Sequence, residues 1–217
     1  MDLKEQLLYL CKSTDIERKQ SIIQSLNELN INYKDLDNNA IIVEAKNKNN
    51  IVVLSAHYDV FPKSYGFNDN GVALLTILQI IKKLPDDVEV VFTNMEEWGG
   101  RGASYYLKNC QKNIVGCVNL DVCGIGDCIY CDNYNNAIFP KDCKFGSMPF
   151  CDGTVFSEYN IPVLTFSTSY KDMNFDRGIM EIYKTIHNNE KDNDIDIINF
   201  DLVRVVSDKV FESIKLF

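Results

Sequence analysis

Three short apolar runs constrain the fold most: residues 51–56 (IVVLSA), 88–94 (VEVVFTN) and 115–120 (VGCVNL). Runs of this length bounded by turn signals are buried strands. Between the first two lies VALLTILQIIKKL at 72–84, apolar nearly all round and so a buried helix. Each run closes on groups that bind protons or ions. His57 and Asp59 follow the first, two residues apart and therefore on one face of an extended chain. Glu96 and Glu97 follow the second, and Asp121 the third. In open α/β sheets the carboxyl ends of the strands are where ligand sites form, and three merely solvated turns have no reason to repeat this pattern.

Asp69 stands ten residues beyond Asp59, inside Asn68-Asp69-Asn70-Gly71 and just ahead of the apolar helix. Alone it reads as a helix cap, since a short carboxylate satisfies open amides and suits the positive helix end. Beside His57, Asp59 and the later acids it reads as an ion ligand, because an imidazole with several carboxylates suits a divalent cation. His187 is the second of only two histidines. Zinc (Zn2+) is the expected ion, with Co2+, Mn2+ or iron as substitutes.

The rest of the chain reads as scaffold. Leu3, Leu7, Leu8 and Leu10 form a helical stripe. Thr14-x-x-Glu17 is a capping box opening a second helix, with Ile16, Ile22, Ile23, Leu26 and Leu29 on its apolar side. Residues 31–36, 40–46 and 51–56 read as three strands. A helix is expected near Ala103, two short strands and a loop over 122–150, and a short helix at 154–159. A strand at 161–166 and a final helix from about Asp201 complete the expectation. No repeat or linker divides the chain. The expected fold is α/β: a single-domain three-layer α/β/α sandwich with a mixed central β-sheet over 1–217, the helices of 1–30 packed on the sheet.

The charge balance argues against two kinds of partner. With 217 residues and a net charge of −9, the chain is poorly suited to nucleic acid or an anionic membrane; two bound divalent cations would bring −9 to −5. Charges interrupt the first apolar stretch and no window approaches 18 uninterrupted apolar residues, so neither a secretory leader nor a membrane span is expected. Eight cysteines without a leader suggest reduced thiols and a cytoplasmic location. Cys123, Cys128 and Cys131 match an iron–sulfur spacing, with Cys143 beyond. The alternation of VCGIGDCIYC favours strand–turn–strand with core thiols instead.

The ordered set His57-x-Asp59, Asp69-Asn70, Glu96-Glu97, Asp121 and His187 resembles the M28 family of di-zinc aminopeptidases. The resemblance runs from about Ile51 to the C-terminus. It is sharpest in AHYDV at 56–60, Gly-x-Asn-Asp-Asn-Gly at 66–71 and Glu-Glu-Trp-Gly at 96–99, and weaker in Val118-Asn-Leu-Asp121 and Cys151-Asp152. Asp59-Val60-Phe61-Pro62 also echoes the M20 peptidases, but there is no room here for their inserted domain. The M28 resemblance implies two ions bridged by Asp69, with His57 and Asp121 completing one site and Glu97 and His187 the other. Asp59 would hold the His57 ring, and Glu96 would be the general base. Two ions about 3.5–4 Å apart can clamp nucleophile and carbonyl oxygen together.

The chain departs from the family pattern in three places. Cys151-Asp152-Gly153 replaces the usual Ser-Asp-His, and Asn188-Asn189-Glu190-Lys191 follows His187. No tyrosine matches the one that assists the carbonyl oxygen in some members; Met148 falls near its place. The implied reaction is removal of an N-terminal residue from a peptide. The alternatives are a glutaminyl-cyclase-like acyltransferase with one zinc, a hydrolase of small non-peptide amides, and a metal-stabilised binding protein. The expected partner is a peptide or small amide, with no nucleic acid and no membrane; the oligomeric state is open.

Overall fold

In the computed structural model, which describes residues 1–47, 49–186 and 191–217, strand β3 (Asn50–His57) is buried from its second residue onward. Its side chains alternate between faces, as an extended chain requires. Val52, Leu54 and Ala56 join the larger apolar cluster on one face, while Ile51 and Val53 join a smaller one on the other. A strand covered on both faces explains why the run is continuously apolar.

Strands β4 (Val88–Thr93) and β5 (Asn113–Leu120) pair in parallel on either side of β3, and β8 (Val163–Ser169) pairs in parallel with β5. One edge is extended by β2 (Ala40–Val43), antiparallel to β4, and by β1 (Lys34–Asp35). The other edge carries β6 (Cys128–Tyr134), antiparallel to β8, and then β7 (Lys144–Phe145). The order is β1-β2-β4-β3-β5-β8-β6-β7. From β3 the chain moves to β4 on one side and then crosses to β5 on the other. The carboxyl end of β3 is therefore a topological switch point, where a crevice opens between diverging connections.

Helices α1 (Leu3–Leu10), α2 (Asp15–Glu28), α3 (Val72–Ile80), α6 (Phe175–Ile186) and α7 (Phe200–Ser213) supply the larger cluster. Helices α4 (Arg101–Asn109) and α5 (Asp152–Glu158) supply the smaller one with Ala103, Tyr106, Leu107, Val155 and Phe156. The expected three-layer α/β/α sandwich with a mixed sheet is therefore the architecture.

Local differences have physical reasons. Thr14 caps α2, its Oγ1 accepting the Glu17 N–H at 3.3 Å. The inward face of that helix, however, is Arg18, Ile22 and Leu26, a spacing of four, and Ile16 is exposed. Asp69 and Asn70 do not cap α3, whose first turn has no side-chain cap; Asp69 is turned elsewhere. Helix α6 was not among the expected elements. Cys131 lies in the larger core. Among the described residues the one group of three or more ligating side chains able to share an ion contains no cysteine.

Candidate metal centre

His57 closes β3 and the acids gather round its ring. Nε2 lies 3.1 Å from Asp69 Oδ1 and 3.6 Å from Asp121 Oδ1, while Nδ1 lies 3.3 Å from Asp59 Oδ1. The ligating atoms of His57, Asp69 and Asp121 fall within 4.8 Å of one another. The second oxygen of Asp59 accepts the Glu97 N–H at 3.0 Å. One carboxylate thus stands beside the His57 ring and holds the backbone of the Glu96–Glu97 loop.

The segment Gly66–Gly71 can be read residue by residue. Asn68 Oδ1 accepts the Gly124 N–H at 2.7 Å, and Asn70 Nδ2 donates to the Leu120 carbonyl at 2.9 Å. Both asparagines therefore tie this loop to the end of β5, which fixes the spacing between Asp69 and Asp121. The Asp69–Asn70 peptide bond is cis. Gly66 has φ +55, and a Cβ there would stand 2.2 Å from the Asp69 carbonyl oxygen, so only glycine fits.

Strain marks the neighbouring strand ends. Met95, between β4 and Glu96, has φ +58, and Val122, directly after Asp121, has φ +47. A left-handed β-branched residue is rare and costs on the order of 1–3 kcal/mol. Val122 is held there because its carbonyl accepts the Ser167 hydroxyl at 3.2 Å and the Thr168 hydroxyl at 3.3 Å. These turns aim the acids into a cavity of about 140 Å³. Asp69, Glu96, Glu97 and Asp121 line it, facing Val122, Met148, Pro149, Phe150, Tyr183 and Ile186. Asp132 pins the opposite wall, accepting the Met148 N–H at 2.8 Å and the Tyr134 hydroxyl at 2.7 Å.

The electrostatics fit a divalent ion. Burial first, then the neighbouring acids, raises Glu96 to about 9 and Glu97 to about 8 despite the nearby His57 charge. Burial also pushes Asp152 to about 7; it accepts a hydrogen bond from the Thr93 hydroxyl. For His57, burial opposes the imidazolium, but Asp121, Asp59 and Asp69 outweigh it and raise its pKa well above the ordinary value. Glu97 Oε1 and Asp152 Oδ1 are buried with no hydrogen-bond partner among the described residues. Unpartnered buried carboxylate oxygens are costly, and a cation in the cavity that Glu97 lines would relieve that cost at Glu97. The imidazole and carboxylate donors suit zinc.

A pH dependence follows. These acids titrate near 4 in an unfolded chain, so between about pH 4 and their raised values the folded protein holds more protons than the unfolded one. His57, also raised, acts in the same direction, its contribution being full below about 6.5 and lost as pH rises through its folded value. Stability of the metal-free protein therefore falls as pH rises through that window. Chelated protein is expected to melt at a higher temperature at pH 5 than at pH 8. Zinc should shrink or reverse the difference, because its binding displaces the protons. At about 2–4 °C per kcal/mol for a chain of this size, circular-dichroism melts resolve the effect. Chelated protein that is more stable at pH 8 would show that these acids are already ionised.

Of the seven site residues expected from sequence, His57, Asp59, Asp69, Glu96, Glu97 and Asp121 converge at this one end of the sheet. His187 lies outside the described residues. Asp152, Asp192 and Tyr183 join the site's surroundings without having been expected in a functional role. Tyr183 lines the cavity from α6, opposite the acids.

Residues 38–132 match peptidase family M28. A vacuolar membrane protease of Vanderwaltozyma polyspora is 36% identical over 95 residues, covering 40% of this chain and 10% of that protein. One from Lodderomyces elongisporus is 27% identical over 175 residues, covering 71% and 18%. The chain thus spans under a fifth of the length of these relatives. Among solved structures, the zinc aminopeptidase of Bacillus subtilis superposes with a TM-score of 0.65 at 22% identity, over 81% of this chain and 48% of that one. The glutaminyl cyclase of Porphyromonas gingivalis superposes with a TM-score of 0.74 at 14% identity, over 98% and 95%. These likenesses establish the fold. The names of the relatives overturn the expected cytoplasmic location, which rested on leader and cysteine patterns alone. They also leave the expected absence of a membrane partner without support, although no described helix is long and apolar enough to cross a membrane.

Proposed function

We propose that this chain, whose residues 38–132 match peptidase family M28, is a zinc-dependent metallopeptidase, an aminopeptidase removing the N-terminal residue of peptides. The observation that carries this reading is the convergence of His57, Asp69 and Asp121 beside the paired Glu96 and Glu97 on one cavity. His57 and Asp121 would hold one ion and Glu97, with His187, the second, Asp69 bridging them. Zinc bound there would acidify a water and polarise the scissile carbonyl. Glu96, left without a ligand role, accepts a proton from the attacking water and passes it to the departing amine. As the C–N bond breaks, that proton leaves with the amine and the water oxygen stays on the acid product. Asp59 keeps the His57 ring turned to its neighbours. Met148, Phe150, Tyr183 and Ile186 form the wall against which a substrate side chain rests. One sheet with helices on both faces supports treating 1–217 as a single catalytic domain.

A second reading is glutaminyl cyclisation, favoured by the match to a bacterial glutaminyl cyclase over almost the whole of both chains. Metal analysis with a panel of aminoacyl anilides beside an N-terminal glutaminyl peptide separates the two. Two zinc ions per chain and chelator-sensitive anilide hydrolysis are the expected result. One ion at saturation, with cyclisation and no anilide hydrolysis, would move the assignment to the cyclase. Hydrolysis of small non-peptide amides alone would move it to an amidohydrolase.

A further inference from the structure

The loop that carries both Asp59 and Asp69 is gripped from beneath by residues far from it in sequence. Arg18, on α2, is completely buried. Its Nη1 donates to the Asp59 carbonyl at 3.1 Å and its Nη2 to the Gly66 carbonyl at 3.4 Å. Three residues earlier on the same helix, Asp15 Oδ1 accepts the Val60 N–H at 3.1 Å. The peptide unit joining Asp59 to Val60 is thus held at both its C=O and its N–H by one helix. From the other end of the chain comes Asp192, equally buried. Its Oδ1 accepts the Asn68 N–H at 2.8 Å and its Oδ2 the Asp69 N–H at 3.3 Å.

Packing alone does not account for this arrangement. A buried guanidinium carries a desolvation penalty, whereas Ile22 and Leu26 fill the following positions of the same stripe without one. Both acceptors of Arg18 lie in the loop that bears Asp59 and Asp69, and at Gly66 the fit leaves no room for a side chain, since a Cβ would stand 2.9 Å from Nη1. Asp192 likewise spends both oxygens on the backbone immediately at Asp69.

We propose that Arg18, Asp15 and Asp192 are positioning residues for the ion-holding carboxylates. They fix the backbone of 59–69 so that Asp59 meets His57 Nδ1 and Asp69 meets Nε2 before any ion arrives. Without them, ion binding must also order this loop, and affinity falls accordingly. The inference rests on the metal-site reading above. Its test is zinc affinity of the full chain by competition with a chromophoric chelator, the visible spectrum of the cobalt-substituted protein, and melting of the chelated protein. Arg18→Met and Asp192→Asn are expected to fold, to lose about 10–100-fold in zinc affinity, the usual effect of removing a group that orients ligands, and to shift the cobalt bands. Arg18→Lys, which keeps the charge, should recover part of the affinity. Variants with wild-type affinity and cobalt spectrum, whatever their melting temperature, would overturn the proposal. Should Arg18→Met not fold, Asp192→Asn and Arg18→Lys decide by the same criterion. Failure of all three to fold would also overturn it, making these residues part of the core and not of the site. Wild-type protein that binds no zinc would instead sink the metallopeptidase reading, so the two failures are distinct.

Discussion

Glu96→Gln is expected to lower turnover by about 10²–10⁴, the contribution of a positioned general base, while leaving zinc content unchanged. Glu96 and Glu97 are adjacent but serve different purposes. The Glu97 N–H is fixed by Asp59, and the Glu96 carbonyl accepts both the Gly99 and Gly100 N–H groups at 2.9 and 3.0 Å. Both side chains line the cavity. Glutamine at 96 keeps size and shape but cannot take up the water's proton. Substrate-like inhibitors should therefore still bind, and KM should move far less than kcat. Glu97→Gln should do the reverse, weakening one ion because a charged ligand is lost. Near-normal turnover in Glu96→Gln, with full zinc content in Glu97→Gln, would exchange or void both roles.

The acids at the ends of β3, β4 and β5 were legible because the signal is local: an apolar run stops and a carboxylate or imidazole follows. The unbroken apolar run at 51–56 likewise announced a buried strand. Contacts across long separations were not legible. Thr93 meets Asp152 across 59 residues and Asn68 meets Asp192 across 124, and no periodicity reports either. The left-handed Val122 is equally silent, since nothing about a valine foretells a positive φ. Helix α6 did leave a trace, with Phe175, Ile179, Ile182 and Ile186 at spacings of four, three and four, but Gly178 in its second turn lowers helix propensity. With that helix unread, Tyr183 had no route to the cavity. Arg18 was also visible, as a charge standing in the stripe completed by Ile22 and Leu26. Its meaning depended on which loop lay above it.

Asp69→Asn is expected to abolish binding of both ions and to reduce turnover beyond the loss from Glu96→Gln. Asp69 is the residue shared by the two proposed sites, so its removal cannot be confined to one, whereas Glu97→Gln leaves the His57–Asp121 site its donors. The stability effects should have opposite signs with and without zinc. In the chelated protein Asp69 is, after burial, the foremost cause raising both Glu97 and Asp192 to about 8. Removing its charge eases that crowding, while the amide oxygen still faces His57 Nε2. Chelated Asp69→Asn should therefore melt no lower than chelated wild type at pH 8. Added zinc stabilises wild type by about 4 kcal/mol for each site at which its concentration is 1,000 times Kd, and the variant should gain almost nothing. Melting curves with and without zinc, together with zinc content per chain, measure both effects. A variant that retained two zinc ions would remove Asp69 from the bridging position and with it the two-ion arrangement proposed here.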